Sequence, residues 1–522
     1  LPKETQSSST SSTATRRPSL KLNAISNWGP LAVNFIVGFL LTPYLIGHLG
    51  KGNYGIWVLV GSLLGYYGLL RLGVGAGIMR YVPFYIGRDD SRPTSEIVST
   101  GLAIFLLVGL VIFAVSILAA EPIARFYKSG PELASLVRIL GIAAAFGCPM
   151  YILDACIRAH EHWIAANFVT IASAVARALG LAGCVYFGYG LVEMGYVVLV
   201  VTAFSMALMC VVFVQSCPGI YLRPSLVKLS SARILLSFGI LTTIIGLVYT
   251  LTLQGHSLII GKVISLEAVA IYAVAVILIR NVRGVLIAPA RVFWPRFAYL
   301  DGKNHSDEVA SLFLRGTRFT AIFASGIMFI TFVLGPSFIS LWIEGDFRAA
   351  YPVLLLLAAG YLIECSQAIM GPFLGGTGRQ GVHAIFAAVE GTIGIGLSII
   401  LTWQLGLVGT ALGFVIAIVL IRGLICPWYV CRLLNIRTIQ YYVNCLLRPW
   451  LILATLTLTA SYIGVGAFVH NWPSFIFAAI VLGVVYVICA YYIAMSDEEK
   501  EHMKYYVRKL STCVFILSGI KK

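Results

Sequence analysis

Any chemistry in this chain rests on a few charged side chains set deep within apolar stretches. An ion at the centre of a membrane helix costs roughly 2.5–3.5 kcal/mol on insertion scales, so it needs water, an anion or a partner. Arg280 and Arg283 lie three residues apart in the apolar run 267–290, on neighbouring faces of one helix. At about 100° per residue, Arg291 returns to within about 20° of Arg280, three turns further on. The three form a basic stripe, and a guanidinium offers planar, paired donors to phosphate or carboxylate oxygens. Arg291 is placed to snorkel to headgroups; Arg280 and Arg283 are placed to line a cavity. Arg71 and Arg80, nine residues apart, face opposite ways on an unbroken helix, and share a cavity only if Gly73-Val-Gly-Ala-Gly77 breaks it. Asp154, Glu364 and Glu390 are the acids within spans, and Arg177 is an arginine in the same setting. Such carboxylates either couple transport to a cation or neutralise an arginine, and the sequence leaves both open.

Other site chemistries are not legible. The loop Gly375-Gly-Thr-Gly-Arg-Gln-Gly381 lacks the Lys-Ser/Thr that contacts nucleotide phosphates and follows no strand, so it reads as a turn between spans. His160 and His162 flank Glu161 in a short loop. The eleven cysteines show no CxxC pair and no zinc spacing. Cys148, Cys156, Cys184, Cys210, Cys365 and Cys489 read as small packing residues. The expectation is a protein that is not an enzyme, with no cofactor and no metal. No built-in ATPase is visible, so uphill transport must draw on an ion or substrate gradient.

The elements that position these residues follow from composition. Apolar residues make up 59% and charged residues 11%, with mean hydropathy +0.92; a soluble domain carries about 25% charged residues. The apolar runs have no period of two, which excludes a barrel and leaves an all-α polytopic bundle. About fourteen spans are predicted, near 25–47, 53–76, 96–119, 134–157, 164–188, 191–216, 233–255, 267–290, 310–334, 350–373, 383–403, 406–430, 448–469 and 473–494. With the N-terminal tail in the cytoplasm, only Lys51, Arg125, Lys128, Arg138, Lys262 and Arg348 border the outer side, and most of the other Lys and Arg border the inner one. This is the positive-inside asymmetry, and it places both termini in the cytoplasm. The net charge of +16 thus reports orientation beside an anionic leaflet rather than a nucleic-acid partner.

The chain also repeats. Pro122-Ile-Ala-Arg-Phe-Tyr127 resembles Pro336-Ser-Phe-Ile-Ser-Leu-Trp342, Gly190-Leu-Val192 recurs as Gly406-Leu-Val408, and Tyr54 has its counterpart in Tyr272. At this offset Arg177 and Glu390 are nearly equivalent. The expected organisation is a disordered cytoplasmic tail over 1–24, a six-helix lobe over 25–216, a linker over 217–232, a second six-helix lobe over 233–430, an extra helix pair over 431–494 and a cytoplasmic tail over 495–522. Two such lobes leave a cavity near the midplane, the usual place for a transported substrate.

At Thr42-Pro-Tyr-Leu-Ile-Gly-His-Leu-Gly50, followed by Tyr54-Gly-Ile-Trp57, the chain resembles the polysaccharide (O-antigen) flippases, in the superfamily that also holds the multidrug and toxin extrusion pumps and the lipid II flippases. Leu258-Ile-Ile-Gly261 and Ala270-Ile-Tyr-Ala-Val274 resemble the opening of that family's second repeat. Two positions depart from it: Arg71 and His256 stand where many members carry Asp. Both changes remove negative charge from helices expected to line the cavity, which weakens the case for cation coupling and favours an anionic substrate.

The resemblance implies translocation of a lipid-linked oligosaccharide, on an undecaprenyl diphosphate carrier, across a bacterial inner membrane for surface polysaccharide biosynthesis. Its implied partners are that substrate, membrane lipids, and the polysaccharide polymerase and glycosyltransferases. Arg280, Arg283, Arg71 and His256 are the expected substrate-binding set. Asp154, Arg177, Glu364 and Glu390 are the candidates for ion coupling or ion pairs. The alternative is a cation-coupled exporter of drugs or metabolites on the same fold. A membrane polymerase or ligase is a third reading, against which stands the want of a large outer loop.

Overall fold

The computed structural model describes residues 28–71, 73–86, 91–303, 305–343, 347–495 and 500–501; the tail 1–24 and most of the tail 495–522 lie outside them. No strand occurs among the described residues, and most helices follow one another through short turns, the connection 217–228 being longer. Among the described residues, eleven helices are long and apolar enough to cross a membrane. Two of these are pairs of spans run together. Trp28–Gly65 is kinked where Gly50 takes φ 72°, and Gln380–Ile418 where Gly406 takes φ 61°. Both glycines occupy the left-handed region, where a side chain is strained. With these pairs divided, and with helix Leu229–Val263 at the predicted 233–255, each of the fourteen predicted spans has a helix. The protein is a polytopic all-α membrane protein.

The second span does break at its glycines. The helix gives way to a 3-10 turn over Tyr66–Arg71, Gly73 takes φ 63°, and Val74–Ile86 resumes. Arg71 and Arg80 therefore do not sit on one continuous helix. The eighth span repeats the pattern, with Leu266–Ile287, a 3-10 turn over Ala288–Val292 and Phe293–Gly302. A proline, Pro289, interrupts the ladder here where Gly73 does so in the first repeat.

The contacts divide the chain into two compact units. The first comprises Leu1–Leu41, Arg71–Ala119 and Ser135–Thr242. Within it the segment after Cys217 makes a few backbone turns of its own, with Leu226 bonded to Arg223 and Val227 to Pro224, and helix Ser91–Phe126 supplies further partners. Ser95 Oγ accepts from the Tyr221 N–H at 3.2 Å, Ser99 Oγ from Arg223 at 3.3 Å and Thr100 Oγ1 from Lys228 at 3.1 Å. Glu96 anchors the Lys228 ammonium at 2.6 Å. Side chains one helical turn apart thus hold an extended strap.

The second unit comprises Thr42–Leu70, Ala120–Ala134 and Thr243–Lys522. Within it, parts of the first sequence repeat are fastened to the second. The Lys262 ammonium donates to the Phe126 carbonyl at 2.6 Å, and the Tyr127 hydroxyl to the Leu258 carbonyl at 3.4 Å. The backbone at Gly55 passes so near the Leu266 carbonyl that a Cβ would lie 1.8 Å from its oxygen. In the hairpin closed at Gly406, a Cβ on Gly409 or Gly413 would meet the backbone of Leu401 or Ser398. This spacing of small residues lets two membrane helices touch along their backbones. Ser398 Oγ donates across the contact to the Thr410 carbonyl at 2.9 Å.

Candidate functional site

The site is built outward from a proline. Over Val419–Ile425 the helix widens to the π form, with the Cys426 N–H bonded to the Ile421 carbonyl five residues back. The next bond in that pattern would reach the Arg422 carbonyl from residue 427, but Pro427 has no N–H to give. The Gly423 carbonyl, four residues before Pro427, loses its α-helical donor in the same way. An unpaired carbonyl in hydrocarbon costs several kcal/mol, and two side chains remove that cost. Gln367 Nε2 donates to the Arg422 carbonyl at 3.1 Å, and the Tyr442 hydroxyl donates to the Gly423 carbonyl. The Tyr441 hydroxyl then donates to Gln367 Oε1 at 3.0 Å.

Arg422, held in this widened turn, meets two acids. Its Nε donates to Glu390 Oε2 at 2.6 Å, and its Nη1 lies 3.3 Å from Glu364 Oε1. Glu364 also receives Arg283 through two bonds, Nε to Oε2 at 3.0 Å and Nη2 to Oε1 at 2.6 Å. The paired geometry is the strong form of a charge-assisted contact. The Arg283 guanidinium lies 5.6 Å from the centre of the Tyr361 ring. Both carboxylates are buried, with 7% exposure at Glu364 and 6% at Glu390. Two cations and two anions therefore form a neutral chain, Arg283–Glu364–Arg422–Glu390, across four helical segments. Beside it lies a cavity of about 20 Å³, room for one water, lined by Glu364, Gln367, His383, Glu390, Arg422 and Cys426 among others.

The candidates from the sequence fall in different places. Arg283, Glu364 and Glu390 come together here. Arg280, one turn from Arg283, is exposed, and among the described residues no carboxylate pairs with it. His256 is 5% exposed, packed against Tyr272 and Phe414 with ring centres 5.9 and 5.3 Å away, and its Nε2 has no hydrogen-bond partner among the described residues. Asp154 and Arg177 lie in the first unit. Asp154 pairs with Arg158 at 2.8 Å, and Arg158 also donates to Asn167 Oδ1 at 3.0 Å; Arg177 is exposed. The side chains of Arg71 and Arg291 lie outside the described residues.

Arg422 was not among the sequence candidates, although it stands eight residues inside the predicted span 406–430. Its signal is Pro427, five residues on within the predicted span 406–430. Gln367 and Tyr441 carry no signal until the helices are packed.

Comparison with known proteins gives a consistent placement. The solved structure of the lipid II flippase MurJ, in an inward closed conformation, matches at a TM-score of 0.70 with 15% identity, over 90% of this chain and 98% of that one. A multidrug resistance MATE family transporter, inward-facing, matches at 0.64 with 13% identity, over 79% and 99%. At these identities the likeness shows the fold alone. The uncharacterized membrane protein EpsK of Bacillus subtilis (strain 168) is 20% identical over 497 residues, 92% of this chain and 96% of that one. The family model described as polysaccharide biosynthesis protein matches residues 53–350. That match takes in more than half of the chain, from the second predicted span to the start of the tenth, and by it the protein belongs to the polysaccharide biosynthesis protein family.

Proposed function

We propose that this protein is a flippase that carries a lipid-linked oligosaccharide, on an undecaprenyl diphosphate carrier, from the cytoplasmic to the outer leaflet of the inner membrane for surface polysaccharide biosynthesis. Family membership and the transporter fold support translocation, and the observation that carries the substrate class is Arg280. It is an exposed guanidinium in a membrane-crossing helix, with no carboxylate partner among the described residues. Such a group needs water or an anion, and a diphosphate or an acidic sugar satisfies its paired donors. The lipid tail stays in the bilayer. Arg71 and His256 remain members of the proposed binding set, as does Arg283, whose guanidinium is paired with Glu364.

Transport proceeds by alternating access of two six-helix lobes, 25–216 and 233–430, with both termini cytoplasmic. The contacts of Lys262 with Phe126 and of Tyr127 with Leu258 lie at the end that the Lys/Arg distribution puts outside. They are bonds that opening outward would break. A cation-coupled exporter needs an acid available to its cation, whereas Glu364 and Glu390 are engaged by arginines.

The test uses a strain lacking the gene, complemented with variants whose membrane abundance and surface glycan are both measured. Arg280→Ala should accumulate normally and export no glycan, while Arg280→Lys keeps the charge, loses the paired geometry and exports partially. Full export by Arg280→Ala at normal abundance would remove Arg280 from the site. Normal surface glycan in the deletion strain itself, with altered drug sensitivity, would overturn the flippase reading in favour of the exporter.

A further inference from the structure

The polar cluster in the first unit has no part in the site above. Cys156 lies in the last turn of helix Met150–Ala159, His160 caps that helix, and Cys217 caps helix Leu191–Ser216. Two features bring them together. Glu161 takes φ 65°, which turns the chain sharply toward helix Trp163–Tyr186 and holds the His160 ring back over its own helix end. Cys217 opens the strap that Ser95, Ser99 and Thr100 fasten to helix Ser91–Phe126. His160 Nδ1 is 3.5 Å from Cys217 Sγ, 3.8 Å from Cys156 Sγ and 2.9 Å from the Cys156 carbonyl oxygen. All three donor atoms lie within 4.8 Å of one another. Both cysteines are buried, at 0% and 3% exposure.

The spacing suits one ion. Zinc bound at about 2.3 Å to sulfur and about 2.0–2.1 Å to nitrogen, at tetrahedral angles, puts those atoms about 3.5–3.6 Å apart. The two measured nitrogen–sulfur separations stand at that edge length or just beyond it. Two thiolates and an imidazole are the donors that soft and borderline ions select over magnesium or calcium.

We propose that Cys156, His160 and Cys217 form a binding site for a thiophilic metal ion, zinc in the first instance, that clips the root of the inter-repeat strap to the turn at 160–162. On binding, each thiol gives up its proton to water as its metal–sulfur bond forms. The His160 Nδ1 lone pair takes the third position, its proton moving to Nε2 and its bond to the Cys156 carbonyl being given up. The fourth position is left to water or an external ligand. The strap joins the two sequence repeats, so the clip fixes the point from which one repeat would move against the other.

The full-length protein, purified under reducing conditions and stripped with a chelator, is titrated with zinc chloride, and separately with cobalt chloride as a spectroscopic stand-in. Retention of one zinc per chain after dialysis is expected, with a zinc-dependent rise in melting temperature and a thiolate-to-cobalt charge-transfer band. Cys156→Ser/Cys217→Ser should melt like the stripped wild type, showing that it folds, but lose the band and the zinc-dependent rise. His160→Ala should lose affinity by more than the roughly tenfold that removal of an outer-shell partner costs. His162→Ala should bind as wild type does. Zinc retention unchanged in the double-cysteine variant, no cobalt band in the wild type, or a Cys156–Cys217 disulfide formed in place of metal uptake would each overturn the site.

Discussion

The two halves of the sequence share a backbone plan and differ in how they house charge. Glu364 and Arg422 belong to a chain of ion pairs linking residues 81 and 32 positions apart in sequence. About 216 residues earlier, at the repeat offset, stand Cys148 and Met206. The first unit instead keeps Asp154 and Arg158 four residues apart on a single helix. A pair within one helix survives any movement of that helix against its neighbours. A pair between helices resists such movement, because separating it would leave charges unpaired in an apolar interior. The lesson is that a duplicated membrane scaffold can hold one half stiff with a buried network of ion pairs and give the other isolated pairs, Asp154 with Arg158 inside a helix and Glu96 with the half-exposed Lys228 at the strap. Even the shared break in the second and eighth spans is made with different residues, Gly73 in one and Pro289 in the other.

The largest expected effect comes from removing the hub. Arg422→Met leaves Glu390 buried with no guanidinium and Glu364 with one, and breaking a buried pair on one side costs about 3–5 kcal/mol. Membrane abundance and the melting temperature of the purified protein should both fall sharply. Adding Glu390→Gln should recover a large part of the loss, because it removes the orphaned charge. Wild-type melting by Arg422→Met would abolish the contrast between the halves.

How far the sequence foretold this depends on the physics of each feature. The spans were legible because hydrocarbon demands roughly 20 apolar residues from every crossing, and the kinks fell at Gly50 and Gly406, where the predicted spans change over. The condition placed on Arg71 and Arg80 was met at Gly73. Arg283, Glu364 and Glu390 stood out because charge in a span is costly. Their pairing was not legible, since it is decided by which helices pack together. Arg422 stands inside the predicted span 406–430 and was passed over; the hydrogen-bond vacancy left by Pro427 is the feature that distinguishes it. Cys156 and His160 are one helical turn apart, but no spacing rule points from them to Cys217.

A smaller effect tests whether the extra helix pair supports the network. Tyr441→Phe removes the donor to Gln367 Oε1 and leaves a buried acceptor unsatisfied, which costs about 1–3 kcal/mol. Melting should fall less than in Arg422→Met. Gln367→Met should be comparably destabilising, because it uncovers the Arg422 carbonyl. The double variant should fall well short of the sum, since the two residues act through one contact. Full additivity would separate Tyr441 from the network.

The smallest effect is expected in the first unit, and it is the sharpest test of the comparison. Asp154→Asn removes one carboxylate from a pair within a helix, and partly exposed pairs of that kind contribute about 0.3–0.5 kcal/mol. Arg158 keeps its bond to Asn167 and the Trp163 ring, whose centre lies 5.1 Å from the guanidinium. Unlike Glu390 after loss of Arg422, neither partner becomes a buried, unmatched charge. Melting and surface glycan export by Asp154→Asn should therefore match the wild type within error. Loss of export at normal abundance and melting would mean that Asp154 exchanges a cation during transport. The half with less buried charge would then hold the coupling group, and the charged network opposite would be scaffold alone.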